Sequence, residues 1–446
     1  MATAADGRGN WGSRAGFVLA ASGSAVGLGN IWKFPYMAGE NGGAAFLIVY
    51  LAIVFTIGIS VMLCEFVIGR ASERSPVGAF AKLRGGAWPI VGFLGVAAGF
   101  IILSFYSVVA GWAVAYVFKS ALGLLQTSDP AALGRLFGDF SSHPWEPILY
   151  HAAFMAMTVA VVIAGIEHGI ERACKILLPL LFLILVALAV RSLTLPGAME
   201  GLKFYLYPDF SKVSAQMVNG ALSQAFFSLS LGMGAMITYG SYLARHENLT
   251  RATLMVTLFD TAVAFIAGLV ILPAVFAFSF DPSAGPGLVF ITLPAVFAKM
   301  PAGVVFAVLF FVLLTIAALT SAVSLLEVVV SYFVDQRGMR RKRSAVVAGG
   351  LTFLLGIPSS LSLGLWKDHT IAGKDFLSLM DYVGSNLLLP LGGIAVTLFV
   401  GWVILPRALE EATSRGAHPF SLARGWVFIC RWVAPVAIGW ILIGGL

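Results

Sequence analysis

The sequence predicts an all-α polytopic membrane protein of eleven spans, and three observations carry that reading. Hydrophobic residues make up 59% of the 446 and charged residues 11%, with mean hydropathy +0.94, which excludes a soluble globular domain. Apolar runs long enough to cross a bilayer, roughly 20 residues each, recur between charged or Pro/Gly-rich stretches. Their flanks are asymmetric: with the N-terminus inside, 18 of the 28 basic residues fall on the cytoplasmic side and nine outside, with Arg431 within the last run. The net charge of +7 is therefore a topology signal and not a nucleic-acid footprint, and an odd number of spans puts the C-terminus outside.

The runs lie near residues 14–39, 44–70, 89–122, 146–165, 170–192, 218–243, 252–278, 301–334, 345–361, 375–405 and 423–444. No cleavable signal peptide is evident, because the first run continues past Lys33 without a small-residue cleavage pattern. Its middle, Gly23-Ser24-Ala25-Val26-Gly27-Leu28-Gly29-Asn30, carries glycine where a plain anchor would carry leucine or valine, and with Pro35 close behind it invites a break. Broken backbone at that depth survives where it lines a cavity or binds something. A Gly23/Gly27 face for tight helix packing accounts for the same glycines taken alone. A second occurrence separates the two readings: Ser228-Leu229-Ser230-Leu231-Gly232-Met233-Gly234 lies in the middle of the sixth run. Paired Gly-interrupted spans in corresponding positions of two halves point to the binding site of a secondary transporter.

Taken in order, Arg8 and Trp11 precede the first run as an interfacial anchor. The second run contains Glu65, which requires a partner or a cavity. At the middle of the third lie Ile102 and Tyr106, the latter either a packed ring with a satisfied hydroxyl or a donor to a ligand. In the fifth, Gly169 and Pro179 allow either an ordinary kink or a segment able to unwind. The seventh contains Asp260, a carboxylate costing roughly 2.5–3.5 kcal/mol on insertion scales and so a site by default. The eighth contains Ala317, Thr320 and Ser321, whose hydroxyls on their own could bond back to their helix, and then Glu327. Residues 282–294 read as a long external loop, the basic cluster at 337–343 as solvated surface and the last run as peripheral. Cys64, Cys174 and Cys430 are too few and too scattered for a disulfide framework or a metal site, and the six histidines fall mostly at span ends. No P-loop, nucleophile elbow or zinc-protease motif is present, so an enzyme is not expected.

With these residues in place, the chain resembles over essentially its full length the neurotransmitter:sodium symporter family, most closely its bacterial eleven-span amino-acid transporters. The signatures are Trp11, the stretch from Gly23 to Pro35, Glu40-Asn41-Gly42-Gly43, the stretch from Gln224 to Gly234, and Leu319-Thr320-Ser321. The paired-break rule was itself formulated on members of this family. The resemblance implies a five-plus-five inverted repeat with discontinuous helices 1 and 6 and one further C-terminal helix. Residues 1–13 would form a cytoplasmic tail, 14–195 the first repeat, 196–217 an external connector, 218–405 the second repeat, and 406–446 a cytoplasmic loop and the eleventh span.

Carried over by position, the resemblance implies a first sodium site at Ala25, Asn30, Ser228 and Asp260, completed by the substrate carboxylate. The second would use Gly23, Val26, Ala317, Thr320 and Ser321. A carboxylate would meet the Leu28 and Gly29 amides and Tyr106, and an amino group the oxygens of Ala25, Phe227 and Ser230, with Ser24 and Ser228 also among the substrate-binding residues. Gly27 stands where monoamine-carrying relatives have aspartate, leaving room for a substrate that brings its own carboxylate. Ile102, Phe227, Met233, Ser321 and Leu325 would shape the side-chain pocket, and an adaptable Met233 among apolar neighbours favours a hydrophobic or aromatic amino acid. Asp260 and Ala264 replace the asparagine and serine of chloride-dependent animal relatives, so chloride is not expected. Arg8 and Asp335 resemble an inner gate pair; Lys33, in place of the arginine of many relatives, would face Asp381 at an outer gate without bidentate geometry.

The implied function is sodium-coupled import of a hydrophobic or aromatic L-amino acid by alternating access in the bacterial inner (cytoplasmic) membrane, with two sodium ions. The partners implied are that amino acid and the lipid bilayer; oligomeric state stays open. The rival readings are a proton-coupled or sodium-independent exchanger, with Asp260 or Glu65 carrying the proton, and a non-transporting receptor or channel.

Overall fold

The computed structural model describes residues 9–282 and 287–445. Among these, nine helices are long and apolar enough to cross a membrane: Ala44–Ser72 (span 2), Pro89–Ala121 (span 3), Glu146–Ile163 (span 4), Ile166–Leu193 (span 5), Leu249–Ala277 (span 7), Gly303–Arg337 (span 8), Arg341–Leu361 (span 9), Phe376–Val403 (span 10) and Ala423–Gly444 (span 11). A bent pair, Arg14–Ala25 and Gly29–Glu40, supplies span 1. Span 6 consists of two fragments, Ala215–Ser228 and Ala235–Gly240, each too short to cross alone. Side-chain caps start spans 1, 6 and 7: Ser13 accepts from the Gly16 N–H at 3.0 Å, Ser214 from Met217 at 3.1 Å and Asn248 from Arg251 at 2.9 Å.

Span 1 bends by 50° where its glycines concentrate. Val26 is extended, with φ −70° and ψ 107°, and the Gly27 N–H donates to Asn30 Oδ1 at 2.9 Å. In span 6 the interruption at 229–234 holds Ser230, Gly232 and Gly234 at φ of 54°, 80° and 76°. That left-handed region is open to glycine and strained for serine. Ser230 stays there because its hydroxyl donates to the Ser24 carbonyl at 2.8 Å, which ties one break to the other. The buried Glu65 carboxylate has its partner in the same segment, accepting from the Gly232 N–H at 2.6 Å. Gly232 also packs closely on span 10, where an added Cβ would lie 3.0 Å from the Leu389 carbonyl carbon.

Span 3 is central, with 67% of its apolar window buried, whereas span 11 is peripheral at 22%. The helix of span 5 runs through Pro179, and Gly169 lies within a π-helical turn, Ile166–Glu171. The chain turns instead at Gly165, with φ 94°; Gly169 is required for closeness, since a Cβ there would lie 3.0 Å from Ala164. The stretch after span 7 contains helix, Leu288–Thr292 followed by Leu293–Ala298, while Gly285 and Pro286 fall outside the described residues. His151 departs from the span-end pattern: it is buried inside span 4, with Nε2 2.9 Å from Ser107 Oγ. Cys64 and Cys430, far apart in sequence, meet as free thiols with their sulfurs 3.3 Å apart.

Candidate functional site

The two breaks meet at the level of Asp260. Asn30 Nδ2 donates to Asp260 Oδ1 at 2.7 Å and to Ser228 Oγ at 3.0 Å, and Ser228 Oγ in turn donates to Asp260 Oδ1 at 3.0 Å. All three side chains are fully buried. Tyr50 from span 2 adds its hydroxyl, 3.3 Å from Ser228 Oγ. This cluster is rich in oxygen and has one carboxylate, the donor set a hard monovalent cation accepts. Asn30 turns its amide nitrogen toward Asp260 and its oxygen toward Gly27.

A second cluster forms where span 8 passes the break in span 1. Thr320 Oγ1 lies 3.1 Å from the Ala317 carbonyl and 3.4 Å from that of Val26. Ser321 Oγ lies 3.4 Å from the Gly23 carbonyl, 3.2 Å from Val26 and 2.8 Å from Ser24. All five groups assigned from the sequence to a second sodium site thus converge. The bend in span 1 is the cause, because it turns main-chain oxygens sideways toward span 8. The cluster contains no carboxylate, so a cation here would rest on main-chain and hydroxyl dipoles.

Between the clusters lies a cavity of about 20 Å³, lined by Ala25, Gly27, Gly29, Ile102, Tyr106, Phe227, Ser230, Met233, Ser321 and Leu325. Each of these ten was among the substrate residues expected from the sequence; Ser24, Leu28 and Ser228 are not in the lining. Leu28 N–H instead donates to Tyr106 Oη at 3.1 Å, and Ser24 Oγ to Ser324 Oγ at 2.7 Å. The space holds about one water molecule, so an amino acid enters only if its walls move apart. Gly27 leaves no room for a side chain: an added Cβ would run into Ser321 Oγ and lie 2.7 Å from Tyr106 Oη.

Above it, Lys33, Asp381, Phe227, Tyr106 and Trp32 line a cavity of about 50 Å³. No ion pair joins Lys33 to Asp381 among the described residues. The Lys33 ammonium sits over the Phe227 ring, 4.8 Å from its centre, and Asp381 accepts from Ser385 Oγ at 2.8 Å. At the opposite end Asp335 accepts from the Ser75 N–H at 2.6 Å, while Arg8 lies outside the described residues.

Several polar contacts in and around the bundle had no counterpart in the sequence reasoning. Gln224 Nε2 donates to the Gly29 carbonyl at 2.7 Å, and Glu171 accepts from the Gly12 N–H at 2.7 Å and Ser13 Oγ at 2.9 Å, fastening the start of span 1. Buried Glu327 accepts from Tyr242 at 2.8 Å and is paired with Arg341. Arg70 is buried against Glu411 at 3.0 Å. A charge inside an apolar run flagged Glu327; the partners, in other spans, had no local signal.

Comparison with known proteins agrees with this architecture. The model of the sodium:neurotransmitter symporter family matches residues 8–128 and 144–444. An uncharacterized sodium-dependent transporter of Bacillus subtilis is 41% identical over 430 residues, covering 96% of this chain and 95% of the relative. The human sodium- and chloride-dependent GABA transporter 2 is 28% identical over 484 residues, covering 95% of this chain and 78% of that one. The crystal structure of MhsT in complex with L-phenylalanine superimposes with a TM-score of 0.91 at 47% identity, covering 99% of this chain and 100% of that one.

Proposed function

Because the chain belongs to the sodium:neurotransmitter symporter family, we propose that it imports a hydrophobic or aromatic L-amino acid together with two sodium ions, by alternating access and without covalent chemistry. The observation that carries this reading is the ten-residue cavity wedged between two oxygen clusters. Its walls of Ile102, Phe227, Met233 and Leu325 suit an apolar side chain, and the phenylalanine bound to the similar MhsT supports that class. Ala25, Asn30, Ser228 and Asp260 would hold the first sodium, with the substrate carboxylate as a further ligand. Gly23, Val26, Ala317, Thr320 and Ser321 would hold the second.

A carboxylate shared between substrate and ion makes their affinities reciprocal, and that is the coupling. Each sodium entering down the membrane potential contributes about 2.3 kcal/mol per 100 mV, so two provide about 4.6 kcal/mol before any concentration gradient. Asp260 supplies a fixed negative charge beside the first ion, which makes chloride unnecessary. The bias of basic residues toward one side supports a bacterial inner-membrane location with the N-terminus cytoplasmic and the C-terminus outside.

The test is amino-acid uptake into proteoliposomes with an imposed sodium gradient. Replacing sodium by choline is expected to abolish accumulation. Undiminished uptake in choline, or uptake driven by a pH jump alone, would transfer the case to a sodium-independent or proton-coupled exchanger.

A further inference from the structure

A second, larger cavity lies away from the helix breaks. It is a groove of about 450 Å³ on the outer surface of the bundle, between spans 2, 7 and 11. It shares no lining residue with the two cavities of the transport site. Its walls are apolar, with Phe55, Ile59, Leu63, Leu254, Trp426 and Ile429 prominent. Phe55 and Leu254 are 39% and 43% exposed on helices that cross the membrane, so the groove opens to hydrocarbon.

One end is different. Arg251, in the first turn of span 7, lines the groove beside Ser421. Its side chain is exposed and makes no ion pair among the described residues. Arg424, adjacent in sequence to the lining residue Gly425, is exposed as well. This is the end that is cytoplasmic in the orientation proposed above. An arginine closing a hydrocarbon-lined slot at the depth where a helix reaches the interface is complementary to a molecule with a phosphate at the end of an acyl chain. The volume falls within the range of roughly 300–1,000 Å³ typical of ligand sites.

We propose that this groove binds an anionic glycerophospholipid, with one acyl chain along Phe55, Leu63 and Leu254 and the phosphate on Arg251. The bound lipid bridges span 11 to span 2, the helix whose Glu65 holds Gly232 in the interrupted part of span 6. Its occupancy therefore stiffens a wall of the transport site without touching that site.

The experiment follows thermal unfolding of the purified full-length protein in detergent during titration with phosphatidylglycerol, with phosphatidylcholine of the same chains, or with glycerol phosphate. Phosphatidylglycerol is expected to raise the midpoint at lower concentration than phosphatidylcholine, and glycerol phosphate to leave it unchanged. Arg251→Gln is expected to raise the half-maximal phosphatidylglycerol concentration roughly fivefold, the loss of one interfacial cation. Gly425→Leu adds bulk at a lining position where a Cβ meets nothing within 4 Å and so is tolerated by the fold, and is expected to weaken the response to both lipids. Leu183→Trp, on the lipid-facing side of span 5, serves as control and keeps it. Equal responses to the two lipids, an equal response to glycerol phosphate, or an unchanged response in Arg251→Gln would overturn the proposal. Should Gly425→Leu fail to fold, native mass spectrometry counting phosphatidylglycerol retained by Arg251→Gln and by the unaltered protein decides; equal retention refutes it.

Discussion

Replacing Thr320 by valine removes one hydroxyl while keeping the shape of the side chain. In the structure that hydroxyl lies 3.1, 3.3 and 3.4 Å from the carbonyls of Ala317, Ile316 and Val26. Two of these belong to its own helix, and such back-bonds contribute little to stability. The ion-free protein should therefore keep its thermal midpoint. With a sodium ion among these oxygens, the hydroxyl is a contact to a charge, worth about 1.5–3 kcal/mol. At 1.4 kcal/mol per decade, the variant should need about 10- to 150-fold more sodium for half-maximal amino-acid binding. Reciprocity requires that amino-acid affinity at a fixed, subsaturating sodium concentration falls as well. The assay is equilibrium binding of labelled phenylalanine across a sodium titration, with choline keeping ionic strength constant. A half-saturating sodium concentration within twofold of the unaltered protein would refute the placement of the second ion.

Three further outcomes are expected. Asp260→Asn removes the fixed charge at the first cluster, so uptake should be lost or become dependent on added chloride; normal uptake in gluconate buffer contradicts the role given to Asp260. Gly27→Ala brings a Cβ to 2.7 Å from the Tyr106 hydroxyl and 3.1 Å from Ser321 Cβ; overpacking of about 1–3 kcal/mol should weaken amino-acid binding about 5- to 150-fold, and calorimetry showing unchanged affinity would rule this out. Arg341→Met leaves buried Glu327 without its cation, a loss of about 3–5 kcal/mol that should lower the thermal midpoint, and adding Glu327→Leu should recover much of it; equal midpoints for the single variant and the unaltered protein would show the pair to be inert.

The fold was legible wherever a physical constraint is local. Bilayer thickness sets run length, so the spans could be counted, and the glycine content at 23–29 and 232–234 marked where helix fails. Ser230 shows the boundary of that legibility. Its left-handed φ follows from a hydroxyl that reaches Ser24, more than two hundred positions away, and no local propensity encodes it. Gly169 and Pro179 left an ordinary kink and an unwinding segment both open; what the sequence did not carry is that the helix of span 5 continues through Pro179 and that Gly169 makes a close approach within its own turn. Lys33 and Asp381 were expected to face each other at an outer gate without bidentate geometry; they line one cavity, and the Lys33 ammonium sits over the Phe227 ring, a contact no local pattern announces. Cys64 and Cys430 met only through tertiary packing. The site residues came from motif order and spacing, whereas the contacts of Tyr50, Gln224 and Arg341 run across spans, and nothing along the chain announced their partners.

Ser321 belongs to two compartments at once: it lines the ten-residue cavity and its oxygen reaches three carbonyls of span 1. A hydroxyl has a single hydrogen, so it can satisfy only one of those oxygens in any instant, and the others are left for whatever cation arrives. A rotor of this kind carries information without moving a helix. If the proposed ion and amino acid occupy these two places, turning its proton toward the cavity would withdraw it from the cation's neighbourhood, and filling either compartment would restrict the rotor's choices in the other.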